Sequence, residues 1–262
     1  TIGALKLAKG LAGSLDQVAV IDTENGSSHL YAHMGDFSVF SMEAPYTPEM
    51  FMQAIDTAVQ EGFKCIIIDS LSHEWFGTGG ILYIHSSMVG NSFANWSKLT
   101  PRHNALINTI VKAPVHIIAT FRSKTDYVIQ QVNGKSVPEK VGLKAIARED
   151  SEYEFTVAFE LNRNYVANVT KDRTGMFVNQ PELRITEAVG AQIASWCSLA
   201  DVQEKTEQAK IQDCNSIDEL ESLLADKPDV RDALREQVCT KMEDLLMVQQ
   251  YKYQQNGHYH GK

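Results

Sequence analysis

The sequence predicts an α/β fold: a mostly parallel sheet flanked by helices, with a small helical appendage at the C-terminal end. Two observations predict it. Val18-Ala19-Val20-Ile21-Asp22 and Cys65-Ile66-Ile67-Ile68-Asp69 are unbroken apolar runs that each stop at a carboxylate, as buried parallel strands do when their carboxyl ends open on a ligand crevice. Helix-like and strand-like segments also alternate as far as Thr120, the pattern of βαβ crossovers.

Taken in order, residues 1–13 read as a helix with Leu5, Ala8, Leu11 and Ala12 on one face and Gly13 as its stop. Residues 17–22 read as a strand, Asn25-Gly26-Ser27-Ser28 as a turn and Phe37-Ser38-Val39-Phe40 as a short strand. Thr47 is an N-cap and Pro48 a first helical residue, so a helix runs to about Glu61 and ends at Gly62. Lys64–Asp69 is the next strand. A Gly- and Ser-rich stretch, Ser70 to Asn95, precedes a helix over 101–112 that starts at Pro101 and closes at Pro114. Val115–Thr120 is a third buried strand, residues 122–150 with the turn Asn133-Gly134 suit a loop or hairpin, and Tyr153–Asn162 and Tyr165–Thr170 read as antiparallel strands.

Beyond Trp196 the character changes. Residues 199–212 are polar and helical in pattern, Ser216-Ile217-Asp218-Glu219 is a capping-box start for a helix ending near Asp226-Lys227-Pro228, and another helix is expected from Val230 to about Lys252. Leu220, Leu223 and Leu224, with Leu234, Val238, Met242, Leu245 and Leu246, have helical spacing that suits a docking face or a small local core. The expected division is a core at 1–198, an acidic helical appendage at 199–253 and a disordered tail at 254–262.

At 262 residues, with 44% apolar and 22% charged side chains, the chain is of ordinary globular composition. No run is long enough to span a membrane, and a start at Thr1 with a helix already under way predicts a partial chain without a secretory signal, hence a cytoplasmic protein. Cys65, Cys197, Cys214 and Cys239 are scattered, with no CxxC pair, so reduced thiols are expected. No HExxH zinc motif and no GxSxG elbow occurs. The net charge of −9 argues against a surface that coats nucleic acid throughout, although residues from 199 onward carry thirteen acids and eight bases, which leaves the core only mildly acidic.

Asp69 is the strongest candidate for chemistry, because four apolar residues followed by Asp-Ser present a carboxylate as a Walker-B strand does toward magnesium on nucleotide phosphates; a strand-end turn acid is the alternative. Residues 1–12 look like the helix that follows a phosphate-binding loop, which would lie upstream of residue 1, with Thr1 as the hydroxyl that joins Asp69 on the metal. Glu24 follows Asp22 at a strand end, so one of the two could activate an attacking water or simply cap a turn. Lys171 and Arg173, two apart at a strand end, point the same way and either meet charge on a γ-phosphate or sit in solvent. Thr120, after the third strand, is placed to sense that phosphate. Arg122, Lys124, Lys135, Lys140, Lys144 and Arg148 outnumber four acids over 122–150, and with Tyr127 as a stacking aromatic they form a nucleic-acid candidate or a plain surface hairpin. His73, Glu74 and Trp75 read as a sheet cap beside the site.

With these residues in place, the chain resembles RecA-like P-loop ATPases, and most closely a phage and prophage group of AAA-type nucleotide-binding proteins related to single-strand annealing recombinases. Ile21-Asp22-Thr23-Glu24 is similar to the family segment whose glutamate activates water, Ile66-Ile67-Ile68-Asp69-Ser70 to its Walker B, and Ile118–Lys124 to the strand and switch that precede the second DNA-binding loop, with Thr120 where RecA has Gln. Lys171-Asp172-Arg173-Thr174-Gly175 resembles the Lys-x-Arg-x-Gly finger that reaches a neighbouring subunit's nucleotide. The resemblance covers roughly residues 1–196. It implies a RecA-like P-loop NTPase core lacking its phosphate loop, ATP and Mg2+ as cofactors, hydrolysis in recombination or replication inside a bacterial host cell, assembly into a ring or filament, and single-stranded DNA held near residues 76–98 and 122–150. A non-catalytic nucleotide-binding scaffold whose acidic tail docks another protein is the alternative.

Overall fold

The computed structural model describes residues 1–132, 135–149, 151–180, 182–225 and 234–256, with the side chains of all of these except 126–132, 135–143, 199–207, 209 and 249–256. The expected turn at Asn133-Gly134, the helix end near residue 226 and residues 257–262 of the expected tail lie outside the described residues; residues 254–256, expected to be disordered, instead continue the last helix, which runs to Asn256 rather than ending near Lys252.

The α/β architecture is present. Strands β1 (Val18–Asp22) and β3 (Cys65–Asp69) are buried at every position. β2 (Ser38–Ser41) and β4 (His116–Ala119) flank them in a four-stranded parallel sheet of order β2-β1-β3-β4. Both inner strands are apolar on both faces because helices cover both. On one face Ala19, Ile21, Ile66 and Ile68 pack with Phe51, Ile55, Leu106 and Ile110 of α2 (Pro48–Gln60) and α5 (Ser92–Lys112). On the other, Val18, Val20, Cys65 and Ile67 pack with Ala4, Leu5 and Ala8 of α1 (Ile2–Ala12). Each Val, Leu, Ile or Phe among them contributes about 1.5–3 kcal/mol on leaving water.

The helix ends follow their local chemistry. Thr47 Oγ1 accepts the Met50 amide at 3.4 Å, and Gly13 takes the left-handed conformation, φ 84°, that closes α1. At Gly10 and Gly190 the backbones of α1 and α6 (Glu187–Asp213) touch: a Cβ on Gly10 would lie 1.9 Å from the Glu187 carbonyl oxygen.

Two expectations are corrected. The long helix starts at Ser92 rather than at Pro101, with the Asn91 side chain accepting the Ala94 amide at 3.2 Å. Pro101 sits inside that helix, where its roughly 3 kcal/mol penalty is offset by the buried stripe of Leu99, Leu106, Ile107 and Ile110. The Gly- and Ser-rich stretch, for which no element was expected, contains α3 (Ser72–Phe76) and α4 (Ile81–Ser87), because Leu71 and Ile81 each find a buried place.

After β4, β5 (Ser123–Val132) and β6 (Lys135–Ala145) form an antiparallel hairpin. A small antiparallel sheet follows, with order β7 (Val157–Leu161), β8 (Ala167–Asp172) and β9 (Glu182–Leu183). Tyr153 and Glu154, expected to open a strand, belong instead to a 3₁₀ turn over Ser151–Glu154.

Contacts divide the chain into two compact units, Thr1–Ala194 and Ser195–Lys262. The second has its own core, in which Ile211, Leu220 and Leu224 meet Leu234, Val238 and Leu245, with α7 (Ile217–Ala225) and α8 (Arg235–Asn256) as its helices. The helical spacing in this region therefore serves a local core, from which Leu246, 47% exposed, is left out.

Candidate nucleotide site

The parallel register sets Asp22 directly beside Asp69 at the carboxyl edge of the sheet, and local bonding gives the two acids different work. Asp22, 2% exposed, closes the following turn: Oδ1 accepts the Glu24 amide at 2.7 Å, and Oδ2 accepts the Ser28 amide at 2.9 Å and the Ser28 hydroxyl at 2.5 Å. Burial opposes its ionisation, but the Ser28 hydroxyl and the amides of Ser28, Glu24 and Gly26 outweigh that and hold its carboxyl below the ordinary range. It is a turn acid, which turns the side chain of Glu24 toward the crevice.

Asp69, 5% exposed, is clasped from two sides. Thr1 Oγ1 donates to Oδ2 at 2.5 Å and Thr120 Oγ1 donates to Oδ1 at 2.5 Å, while the Thr1 nitrogen lies 3.6 Å from Oδ2. α1 delivers the first hydroxyl and the end of β4 the second.

Glu24 stands on the same edge. Ser70 Oγ donates to Oε1 at 2.9 Å, Arg122 Nε donates to the same oxygen at 2.7 Å, and Arg122 Nη2 donates to Oε2. Desolvation would raise its carboxyl, and the bonds from Arg122 and Ser70 override that, so it stays ionised below the usual carboxylate range. Thr23 ties the two strands together. Its hydroxyl accepts the Ser70 amide at 2.8 Å and lies 2.7 Å from His73 Nδ1. His73 is stacked under Tyr46 with ring centroids 4.8 Å apart, and burial pushes it toward the neutral imidazole. Of the expected sheet cap only His73 stays at this edge: Trp75 stacks on Trp96 of α5 with ring centroids 5.9 Å apart, and Glu74 turns away to bond His103 Nδ1 at 3.0 Å.

Thr1, Asp69, Thr120 and Glu24 therefore converge, and Arg122 joins them through Glu24. Lys171 and Arg173 both point to the Tyr153 carbonyl, Arg173 Nη2 at 2.6 Å, with Lys171 Nζ also 3.3 Å from the Glu152 carbonyl. Their bonds do not run to the Asp69–Glu24 group. Loss of hydration, with Arg173 beside it, lowers the Lys171 pKa. On the hairpin, Lys124 is exposed and Lys144 Nζ donates to Glu149 at 2.8 Å. The register sets Lys124 opposite Lys144 and Tyr127 opposite Lys140; the side chains of Tyr127, Lys135 and Lys140 lie outside the described residues.

Ser70, Thr23 and the Arg122–Glu24 pair escaped the sequence reading. Ser70 had a signal, standing next to Asp69, whereas Arg122 and Glu24 are 98 positions apart and no spacing connects them.

The donor set fits a hard divalent cation. A hydroxyl and a carboxylate supply oxygen only, and a Mg2+ ion takes one or two carboxylates with phosphate and water rather than a protein cage. No group of three or more His, Cys, Asp or Glu side chains able to hold a metal occurs among the described residues. Among the same residues no helix is long and apolar enough to cross a membrane.

Comparison with curated proteins and with solved structures gives no match. The family model of an AAA domain matches residues 7–184, a span that holds Glu24, Asp69, Thr120, Arg122, Lys171 and Arg173. A parallel sheet with its acids gathered at the carboxyl edge is the framework such a domain requires, and the chain belongs to the AAA domain family of nucleotide-binding P-loop ATPases.

Proposed function

We propose that this domain is a magnesium-dependent ATPase of phage type that acts on DNA in recombination or replication, within a bacterial host cell. The observation that carries the proposal is the pair of hydroxyls, Thr1 and Thr120, that clasp Asp69 at the end of β3, with Glu24 bonded to the next residue, Ser70. In this reading Thr1 and Asp69 hold Mg2+, which offsets charge on the nucleotide phosphates. Thr120 orients Asp69 and faces the terminal phosphate. Glu24 takes the proton of the attacking water.

Lys171 and Arg173 of a neighbouring copy stabilise the charge that develops on the transferred phosphoryl group, which makes the working unit a homo-oligomeric ring or filament. A carbonyl oxygen is a weaker partner for a cation than a phosphate, so the Tyr153 carbonyl is one they can exchange. Single-stranded DNA lies along the hairpin, with Arg122, Lys124, Lys135, Lys140 and Lys144 against its backbone and Tyr127 against a base. The chemistry belongs to a core at 1–198, and the acidic appendage at 199–253 and the tail at 254–262 supply no residue to it.

The test is Mg2+-dependent ATP hydrolysis by the native polypeptide, with and without single-stranded DNA, beside Glu24→Gln and Arg173→Ala. Loss of a general base lowers turnover by about 10²–10⁴, and DNA-stimulated hydrolysis lost in both variants is the expected result. Tight ATP binding without turnover, unchanged by either substitution, overturns the proposal in favour of a nucleotide-binding scaffold.

A further inference from the structure

An acid placed between two cations is expected to pair with them, and a cation so paired is drawn away from phosphate. Asp172 stands between Lys171 and Arg173 in the chain, yet its carboxylate is turned to other work. Oδ1 accepts the Thr174 hydroxyl at 2.5 Å, the Thr174 amide at 2.8 Å and the Gly175 amide at 3.1 Å, and Oδ2 accepts the Phe177 amide at 2.8 Å. We infer that Asp172 is a positioning residue: it closes the turn after β8 and so presents Lys171 and Arg173 as one convergent pair to a single phosphoryl group of the neighbouring copy. The inference rests on the proposed role of those cations in the neighbour's site.

Three features of the molecule carry it. The first is direction. Successive side chains along a strand leave opposite faces, and the end of β8 keeps that alternation. Lys171 and Arg173 both reach the Tyr153 carbonyl, Arg173 Nη2 at 2.6 Å, while Asp172 between them bonds the turn. Two heads that meet on one carbonyl oxygen are placed to meet on one phosphoryl oxygen.

The second is anchoring. Phe177 is 3% exposed, and its ring stands edge-on to Phe159 of β7 with centroids 5.6 Å apart. The Arg173 amide donates to the Thr156 carbonyl at 3.0 Å. Through the Phe177 amide, Asp172 therefore ties the strand end that carries the cations to a buried residue, and Gly175, at φ 71°, lets the chain turn back tightly enough for that bond.

The third is charge. Loss of hydration opposes ionisation of Asp172, and the Thr174 hydroxyl with the amides of Phe177, Thr174 and Gly175 outweighs it, so the carboxyl stays ionised below its ordinary range. Its charge is met inside the turn. Arg173 stays exposed, with a neutral carbonyl to give up when phosphate arrives.

The test is steady-state ATP hydrolysis by the native polypeptide as wild type, Arg173→Ala, Asp172→Ala, Asp172→Asn and Thr174→Val, each alone and in equimolar mixture with Glu24→Gln. Thermal melting and binding of a fluorescent ATP analogue check that each variant folds and keeps its own nucleotide site. Arg173→Ala should lose about 10³-fold or more in kcat, the worth of such a finger. Asp172→Ala leaves both cations and loosens their turn, and should lose about 10²-fold, with KM for ATP unchanged because the lost interaction belongs to the transition state. Asp172→Asn keeps one acceptor oxygen and Thr174→Val keeps the acid, so both should fall between wild type and Asp172→Ala; if Asp172→Ala fails to fold, these two carry the test. Mixing separates positioning from structure. A Glu24→Gln subunit has a native turn and no base, so random assembly sets that turn beside a working Glu24 at about one site in four, and mixtures with Arg173→Ala or Asp172→Ala should recover about that share of wild-type turnover.

Wild-type turnover in Asp172→Ala, a raised KM with kcat unchanged, or a loss that mixing leaves unrepaired while Arg173→Ala is repaired overturns the inference alone. If Arg173→Ala keeps wild-type turnover, or is not repaired by mixing, the reading of the pair as fingers in a neighbour's site falls and the inference falls with it. If no form turns over ATP, the ATPase proposal falls as well.

Discussion

The Thr120 hydroxyl donates to Oδ1 of Asp69 across 2.5 Å, from the residue that follows β4, the strand next to β3 in the sheet. Asp69 is 5% exposed, and Thr1 is its other hydroxyl donor, so its orientation is decided by two side chains that arrive from elements far apart in sequence.

Thr120→Val keeps the shape of the side chain and removes that donor. A hydrogen bond to a charged group contributes about 1.5–3 kcal/mol. Stability in urea should therefore fall by about that amount, and Mg2+-dependent turnover should fall by about tenfold or more. A variant with wild-type turnover would show that Asp69 is oriented without Thr120.

Asp22 and Asp69 lie side by side, and substitution should tell them apart. Asp22→Ala strands the Ser28 amide, the Ser28 hydroxyl and the Glu24 amide in a buried turn, at a cost of about 1–3 kcal/mol for an unsatisfied buried group and more for several. Chemical denaturation should show a loss of about 3 kcal/mol or more. Asp69→Asn should leave the denaturation midpoint closer to wild type and act mainly on Mg2+-dependent nucleotide affinity.

Gly10→Ala should be destabilising out of proportion to its size. The added carbon would lie 1.9 Å from the Glu187 carbonyl oxygen and 2.7 Å from the Ala191 amide nitrogen, both of them backbone atoms that cannot rotate aside. Overpacking of this kind costs about 1–3 kcal/mol, which outweighs the gain of under about 1 kcal/mol that Ala brings to a helix. Because α1 carries Thr1, the shift that relieves the clash should also lower nucleotide affinity, and thermal melting and nucleotide titration should change together.

Stability should decline in two stages as pH falls. Burial depresses the His73 pKa below its ordinary 6.5, so the unfolded chain takes up a proton that the folded one refuses. Stability is then full above about 6.5 and declines as pH drops from there toward the folded value. The depressed carboxyls of Asp22, Glu24 and Asp172 contribute stability above the ordinary carboxylate range, and that contribution is lost as pH falls through their folded values. Urea midpoints across pH should show both stages. In His73→Gln the upper one should be absent; if it persists there, another group is responsible for it.

The sheet was legible because its signal is local. An apolar run ending in an acid stands in the sequence at Val18–Asp22 and at Cys65–Asp69, and burial of both faces follows from composition alone. The local core of α7 and α8 was legible as spacing but not as purpose, since the same leucines would suit a partner's surface. The start of α5 was misplaced because Pro101 and the glycines before it are strong local signals, whereas the buried stripe that overrides them depends on the sheet and α2 being there to cover it.

By itself, then, the sequence determined which residues could do chemistry: acids at strand ends, a threonine after the third strand, paired cations at the end of β8. Tertiary structure alone decided what each of them does. In the chain Asp22 and Asp69 look alike, and only the turn that Ser28 closes makes the first structural, while the second takes its hydrogen bonds from two threonine hydroxyls. Spacing carried nothing about Arg122 and Glu24, because they meet only once β1 and the segment after β4 are brought to one edge of the sheet. The physical reason is range. Burial and backbone preference act on near neighbours and leave their mark in sequence, whereas the pairing of charges depends on distances that exist only after the strands have paired.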